Sequence, residues 1–282
     1  MEVAERIRSH GTSLTSAERR VAEAILAAPQ AVGFGTVADL ARAADVGAAS
    51  VVRLATKLGF DGYSDLQQCV QRDLTQQLRP AAERIHETVS GARSDHIAAE
   101  LSNVRATLDG ADDRSLEELV LRLSDLTRPV AIISGDASAG VARQFASQLH
   151  QIRSDVAVID GSDVVVRRDL ALLDEHATVV VIDLRRYERW VLDAHRIVHD
   201  RGIWSAGLTD SVLSPIAATA AVTFLVAAHS VGPFDSHVGT LALLNLVALD
   251  VASTLRQSAT ERLHVVEVAW SDNASLTDAR LA

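Results

Sequence analysis

Two stretches of this chain carry residues whose types and spacing could do chemistry. The first is Ala48 to Leu58. On a helix, Val51, Leu54, Ala55 and Leu58 recur at i, i+3, i+4 and i+7 and make one apolar stripe. Ala48 opens the helix, and Ala49, Ser50, Arg53, Thr56 and Lys57 then point away from that stripe. Small residues at the start permit close approach to a flat surface, and one Arg and one Lys follow, which is what a helix in a DNA major groove requires. An ordinary helical hairpin with a solvated outer face gives the same pattern, and pattern alone weighs the two evenly. The second stretch is Asp183-Leu184-Arg185-Arg186-Tyr187-Glu188-Arg189, where adjacent arginines offer forked donors for a carboxylate or phosphate. A solvated charge run pairing with Asp183 and Glu188 is the alternative; a place directly after a strand favours binding. A third, weaker stretch is Ser134-Gly135-Asp136-Ala137-Ser138-Ala139-Gly140, whose small residues could receive an anion at a strand-to-helix turn. A turn that merely requires small residues explains it as well. His195 and His199 have the i, i+4 spacing of a metal pair but no third ligand nearby in sequence, so a surface helix is the better reading and no metal or cofactor is expected.

The elements that must position these residues can be read from capping and periodicity. Thr36 with Asp39 makes a capping box that opens a helix over 37–44, Asp45-Val46-Gly47 turns, and the helix from Ala48 follows. Thr36 is therefore placed at the edge of the same surface. Upstream, Thr15 with Glu18 is a second capping box ahead of a helix that Pro29 stops; downstream, Gly59 ends the helix and Ser64 with Gln67 reads as a third box. Residues 1–77 thus read as one all-helical module. Residues 78–112 read as a linker and connecting helix, with Pro80 and Gly91 in the polar part. Beyond it the period changes. Continuous apolar runs at 130–133, 156–159, 178–182, 203–208 and 222–226 alternate with helical patterns around 138–151, 162–173 and 187–201. That is a parallel sheet covered on both faces, and such sheets bind ligands beyond the carboxyl ends of their strands. Ser236 is a natural N-cap for a strongly apolar helix to Leu255, buried in a core or an interface, and 262–270 alternates partly, as an extended edge or partner contact would.

Composition sets limits. The chain of 282 residues has 48% hydrophobic and 23% charged residues, enough for two domains with real cores. One cysteine, Cys69, excludes an intrachain disulfide. No apolar stretch follows Met1, and the apolar-rich run 217–228 is too short for a bilayer, so a cytoplasmic protein with no membrane partner is expected. Net charge is −10, which argues against nucleic acid, yet residues 1–80 hold nine acidic and nine basic side chains and sum to zero. The acidity belongs to the remaining 202 residues, so the first module is free to meet phosphates.

The run LTSAERRVAEAIL followed by TVADLARAADVGAASVVRLATKLGFDGYSDLQ resembles the amino-terminal domain of the RpiR/MurR family of bacterial transcriptional regulators, over about residues 10–75. The Leu58-Gly59-Phe60 and Gly62-Tyr63 signatures carry the match, and Gly47-Ala48 stands where the family commonly has Ser-Glu. Residues from about 115 to 258 resemble the SIS (sugar isomerase) fold that follows it in the family. The resemblance rests on Phe145-Ala146-x-x-Leu149 and on DSVLSPIA at 210–217. It implies an all-helical helix-turn-helix domain at 1–77, then an α/β/α three-layer SIS domain with a five-stranded parallel sheet at 113–260, and a tail at 261–282. It also implies a double-stranded DNA operator, a homodimer or homotetramer, and a small anionic effector, sugar-phosphate-like or carboxylate. Ser138 falls on the serine of the family's first phosphate loop, while Ser134 and Asp136 replace its glycines. In the second loop Asp183, Arg185 and Glu188 replace three hydroxyls: the carboxylates would repel phosphate and the arginines attract it. Ser236 lies at an edge that can touch ligand. Expected effector residues are therefore Ser134, Asp136, Ser138, Asp183, Arg185, Arg186 and Ser236. The rivals are a SIS-type sugar-phosphate isomerase and a regulator whose SIS domain serves only assembly.

Overall fold

A computed structural model describes residues 14–27, 35–78, 81–85, 92–212 and 214–273, together with 3, 6, 7, 10, 32 and 33. The chain divides into two compact units, Met1–His86 and Glu87–Ala282.

Among the described residues the first unit is helical: α1 (Ser16–Ala27), α2 (Val37–Ala43), α3 (Ala48–Lys57), α4 (Tyr63–Leu78) and a short α5 (Ala81–Arg84). Its core gathers Val21 and Ile25 of α1, Leu40 and Ala41 of α2, Val51, Leu54 and Ala55 of α3, and Leu66 and Val70 of α4. The Thr15–Glu18 box forms, with Thr15 N–H donating to Glu18 Oε2 at 2.8 Å and Glu18 N–H to Thr15 Oγ1 at 3.3 Å. The Ser64–Gln67 box does not. Gln67 instead donates from Nε2 to the carbonyls of Val32 (3.0 Å) and Gly35 (2.7 Å). Asp65 takes the capping role from inside α4, accepting from Asp61 N–H at 3.1 Å.

The second unit begins with α6 (Ala92–Asp109) and α7 (Asp113–Ser124). Five strands follow: β1 (Val130–Ser134), β2 (Val156–Ile159), β3 (Thr178–Ile182), β4 (Ser205–Thr209) and β5 (Val222–Leu225). They pair in parallel in the order β2-β1-β3-β4-β5. Between them lie α8 (Ala139–Ile152), α9 (Asp163–Leu172) and α10 (Arg189–Asp200), and α11 (Val238–Asp272) is the last element among the described residues. Because β1, β3 and β4 are buried at every position, both faces must be covered. One face packs Leu119, Leu123, Phe145, Leu149 and Leu244 from α7, α8 and α11; the other packs Val166, Leu170, Val191 and Val198 from α9 and α10.

Two expectations change here. The connecting helix α6 is built into the second unit: Asn103 Nδ2 donates to the His229 carbonyl at 2.7 Å and Thr107 Oγ1 accepts from Ala227 N–H at 2.9 Å. Residues 262–270 are not extended, since α11 runs unbroken for 35 residues. By length and composition α11 could cross a membrane, with a window of mean hydropathy 1.7, so the longest apolar stretch lies here and not at 217–228. Within the unit, its Leu243, Leu244, Val247, Ala248 and Val251 join the core.

Candidate nucleic-acid interface and effector site

The first candidate site is the pair α2–α3. Thr36 caps α2 reciprocally: its hydroxyl accepts from Asp39 N–H at 3.2 Å while Asp39 Oδ2 accepts from Thr36 N–H at 2.9 Å. The Thr36 hydroxyl also donates to Asp39 Oδ2 at 2.6 Å, and this bond, then the one from Thr36 N–H and that from Arg42, hold the Asp39 carboxyl down at about 2. The turn puts Asp45 at φ 50°, and Arg20 of α1 clamps it by donating to the carbonyls of Ala44 (3.2 Å) and Asp45 (3.1 Å). Helix α3 starts at Gly47 with no side-chain cap, so its first N–H groups face outward beside two alanines. Val51, Leu54, Ala55 and Leu58 are buried as the periodicity requires. Ala48, Ala49, Arg53 and Thr56 are exposed.

Ser50 corrects the outward set. Its side chain is buried and its hydroxyl accepts from Arg53 Nη2 at 2.8 Å, because position 50 lies at the border of the apolar stripe and not opposite it. Lys57 is tied back to Glu18 Oε2 at 2.9 Å, and Thr56 Oγ1 bonds the Val52 carbonyl at 3.2 Å. The outward residue that periodicity passed over is Val52, exposed to 42% between Ala49 and Thr56. An apolar side chain at that position is of the type that can meet a thymine methyl.

The second candidate site lies where the strand order reverses. Strands β2 and β3 flank β1, so the loops after β1 and β3 border the crevice at the carboxyl edge. The loop after β1 is a three-residue 3-10 turn, Asp136–Ser138, entered from Gly135. A Cβ on Gly135 would sit 2.6 Å from Asp183 Oδ1 and 2.9 Å from Glu188 Oε1, so only glycine fits. Both carboxylates have been drawn over this loop. Glu188 Oε1 accepts from Asp136 N–H, and its Oε2 accepts from Trp190 Nε1 at 2.7 Å. Asp183 Oδ2 accepts from Glu188 N–H at 2.8 Å. Burial, reinforced by the neighbouring Glu188 charge, pushes the Asp183 carboxyl up to about 6. Ser138 is buried and its hydroxyl has no hydrogen-bond partner among the described residues.

The arginine pair divides. Arg185 turns inward, its guanidinium 3.2 Å from Asp235 and bonded to the Ala228 carbonyl at 3.3 Å, with Nε buried and without a partner among the described residues. Its own N–H, with the Tyr187 hydroxyl, donates to Asp210 Oδ1 at 2.9 Å. Arg186 is exposed and holds φ 66°, so it does not join Arg185 in a fork. Ser236 is buried with its hydroxyl donated to Glu100 of α6, while its N–H bonds the same Ala228 carbonyl that Arg185 uses. The structure thus brings Asp136, Asp183 and Glu188 together over Gly135, and Arg185, Asp235 and Ser236 together around Ala228. Sequence reasoning noted Glu188 as a departure but not its contact with Asp136, which depends on a loop-to-loop approach across 52 residues.

Comparison with known proteins agrees with the two-part fold. Residues 1–77 match the model described as a helix-turn-helix domain of the rpiR family, and residues 129–250 match the SIS domain. The chain belongs to the RpiR family. Among RpiR-type relatives, the HTH-type transcriptional regulator HexR of Pseudomonas aeruginosa is 29% identical over 259 residues, covering 89% of this chain and 87% of that one. The HTH-type regulator YbbH of Bacillus subtilis is 24% identical over 247 residues, 87% of each chain. In fold, the Vibrio vulnificus NanR protein complexed with ManNAc-6P superposes with a TM-score of 0.58 at 22% identity, covering 98% of this chain and all of that one. As an RpiR-type chain with a SIS domain, this protein is a transcriptional regulator.

Proposed function

We propose that this regulator binds an operator through α3 and releases or grips it according to a small anionic metabolite held at the carboxyl edge of β1 and β3. The observation that carries the DNA reading is the face of α3: Ala48, Ala49, Val52, Arg53 and Thr56 lie exposed on a helix whose opposite stripe is fully buried. Small residues admit the duplex backbone, Arg53 supplies a forked donor, and Val52 and Ala49 supply apolar contact. Thr36, at the start of α2, faces the flanking phosphates, and Lys57 lies at the far end with its charge paired to Glu18. Pairing of two copies, as a homodimer or within a homotetramer, sets two α3 helices on one face of DNA. The working place of such a protein is the cytoplasm.

Arg185 is the cation of the effector site, held ready by Asp235 and not free in solvent, and Ser138, Asp136 and Ser236 line the same edge. No cofactor or metal is needed for this role. The isomerase reading asks for an acid or base beside an open phosphate loop; here Glu188 already takes the Asp136 N–H. That same contact favours a second reading, in which the SIS domain serves assembly alone. Selection of duplexes from a random library by the full-length protein tests the proposal. An enriched inverted repeat with half-sites about one helical turn apart is expected. Recovery of duplexes with no common sequence would overturn it.

A further inference from the structure

The carboxylates over Gly135 have a consequence for what can enter the effector site. Three observations meet there. The Asp136 N–H, which points from a strand-to-helix turn, is bonded to Glu188 Oε1. Gly135 has no Cβ, and the space one would fill is taken by Asp183 Oδ1 and Glu188 Oε1. On the same three-residue turn the Ser138 hydroxyl, on a residue 1% exposed, has no hydrogen-bond partner among the described residues. A buried hydroxyl without a partner is costly, and a turn that offers an N–H beside it is a seat for an anion.

The anion now in that seat belongs to the chain. Glu188 is the N-cap residue of α10, yet its side chain makes no cap bond there. It reaches across to Asp136 and is steadied by Trp190 Nε1 at 2.7 Å. Asp183, buried beside it, is fixed by the Glu188 N–H at 2.8 Å. A second negative group arriving at this seat meets two carboxylates.

We propose that Glu188 is an internal competitor for the anion seat of the 134–138 turn, and that an anionic ligand enters only by displacing its carboxylate from the Asp136 N–H. This rests on the reading that the carboxyl edge of β1 and β3 is the effector site, and it names the residue that sets its selectivity. Glu188 lowers the apparent affinity for every anion by the fraction of molecules in which the seat is open. Simple phosphate, which gains nothing elsewhere, is rejected. A ligand that also engages Arg185 can compete.

The test is calorimetric titration of the full-length protein with inorganic phosphate and with a hexose 6-phosphate. Glu188→Ala is expected to bind both at least roughly tenfold more tightly than the wild type. Glu188→Gln, which keeps the side-chain volume and guards against misfolding of the first variant, is expected to shift in the same direction. Ser138→Ala in the Glu188→Ala background is expected to reverse the gain. Glu175→Gln removes the same charge from an exposed position and is expected to leave affinity unchanged. Phosphate affinity in Glu188→Ala and Glu188→Gln within twofold of wild type would overturn the proposal, as would an equal gain in Glu175→Gln. Operator binding is measured separately on the same samples, so a failure of metabolite control is distinguishable from a failure of the competitor.

Discussion

Arg53 and Arg185 are both arginines chosen for their forked donors, and in both cases a neighbour decides what the fork can do. The Ser50 hydroxyl, 2.8 Å from Arg53 Nη2, holds the guanidinium on the outer surface of α3 and so reduces the rotamer freedom lost on binding. Arg185 is held by Asp235 in a site largely closed to water, whereas Arg186 stands in solvent with a left-handed backbone. In a thermal-shift screen of small carboxylates and sugar phosphates, Arg185→Ala is expected to abolish ligand-induced stabilisation. Arg186→Ala is expected to retain it; the reverse pattern would reassign the effector cation. The adjacent pair was legible in the sequence, but its division was not, since it depends on Asp235 and Ala228, which lie 43 and more residues away.

Two buried ionisable groups set opposite pH trends. His195, within 2.9 Å of Ser205 Oγ, has its pKa lowered by burial to about 4. The unfolded chain, titrating near 6.5, binds the proton first, so stability falls as pH drops from 6.5 towards 4. Asp183 is raised to about 6, so the folded chain binds its proton first. Its contribution is fully present below the ordinary 3.8 and is lost as pH rises through 6. Urea unfolding from pH 7 to pH 4.5 is expected to show His195→Gln losing less stability than wild type over this range. Equal slopes would contradict the assignment.

At the scale of elements, capping and periodicity located most of the fold because both are local. The Thr36–Asp39 box, the α2 turn and the buried stripe of α3 all follow from neighbouring residues. The third expected box failed for a non-local reason: Gln67 was claimed by the carbonyls of Val32 and Gly35. Residues 262–270 imitate strand alternation because apolar and polar residues mix on a stretch of helix that is exposed or partly exposed throughout. Helix α3 yields an element-scale prediction. Gly47 has φ −77° and ψ 149°, and no atom lies within 4 Å of where its Cβ would be. Gly47→Ser should therefore add a cap without strain and stabilise the first unit by a few tenths to about 1 kcal/mol. Thermal denaturation checks this; a destabilised variant would show that the open N-terminus is under another constraint. Leu54→Ala, at a fully buried position of the same helix, should cost about 2–5 kcal/mol. A loss below 1 kcal/mol by urea unfolding would mean that the stripe is not the core of the unit.

For the whole molecule, the division of charge matches the division of labour. The neutral first module carries the face of α3, and the acidic remainder builds a sheet whose carboxyl edge is itself guarded by carboxylates. The architecture was legible in the sequence because continuous β-branched runs separated by helices leave few topologies. The condition of the carboxyl edge was not, because it depends on which loop carboxylate reaches which N–H. The account stands or falls on whether α3 reads DNA. Fluorescence anisotropy of the full-length protein on a selected duplex, titrated with salt, tests this most directly. Arg53→Ala should weaken binding by about 1–3 kcal/mol and reduce the preference for that duplex over random DNA. An Arg53→Ala protein that binds the selected and random duplexes as the wild type does, at every salt concentration, would contradict it.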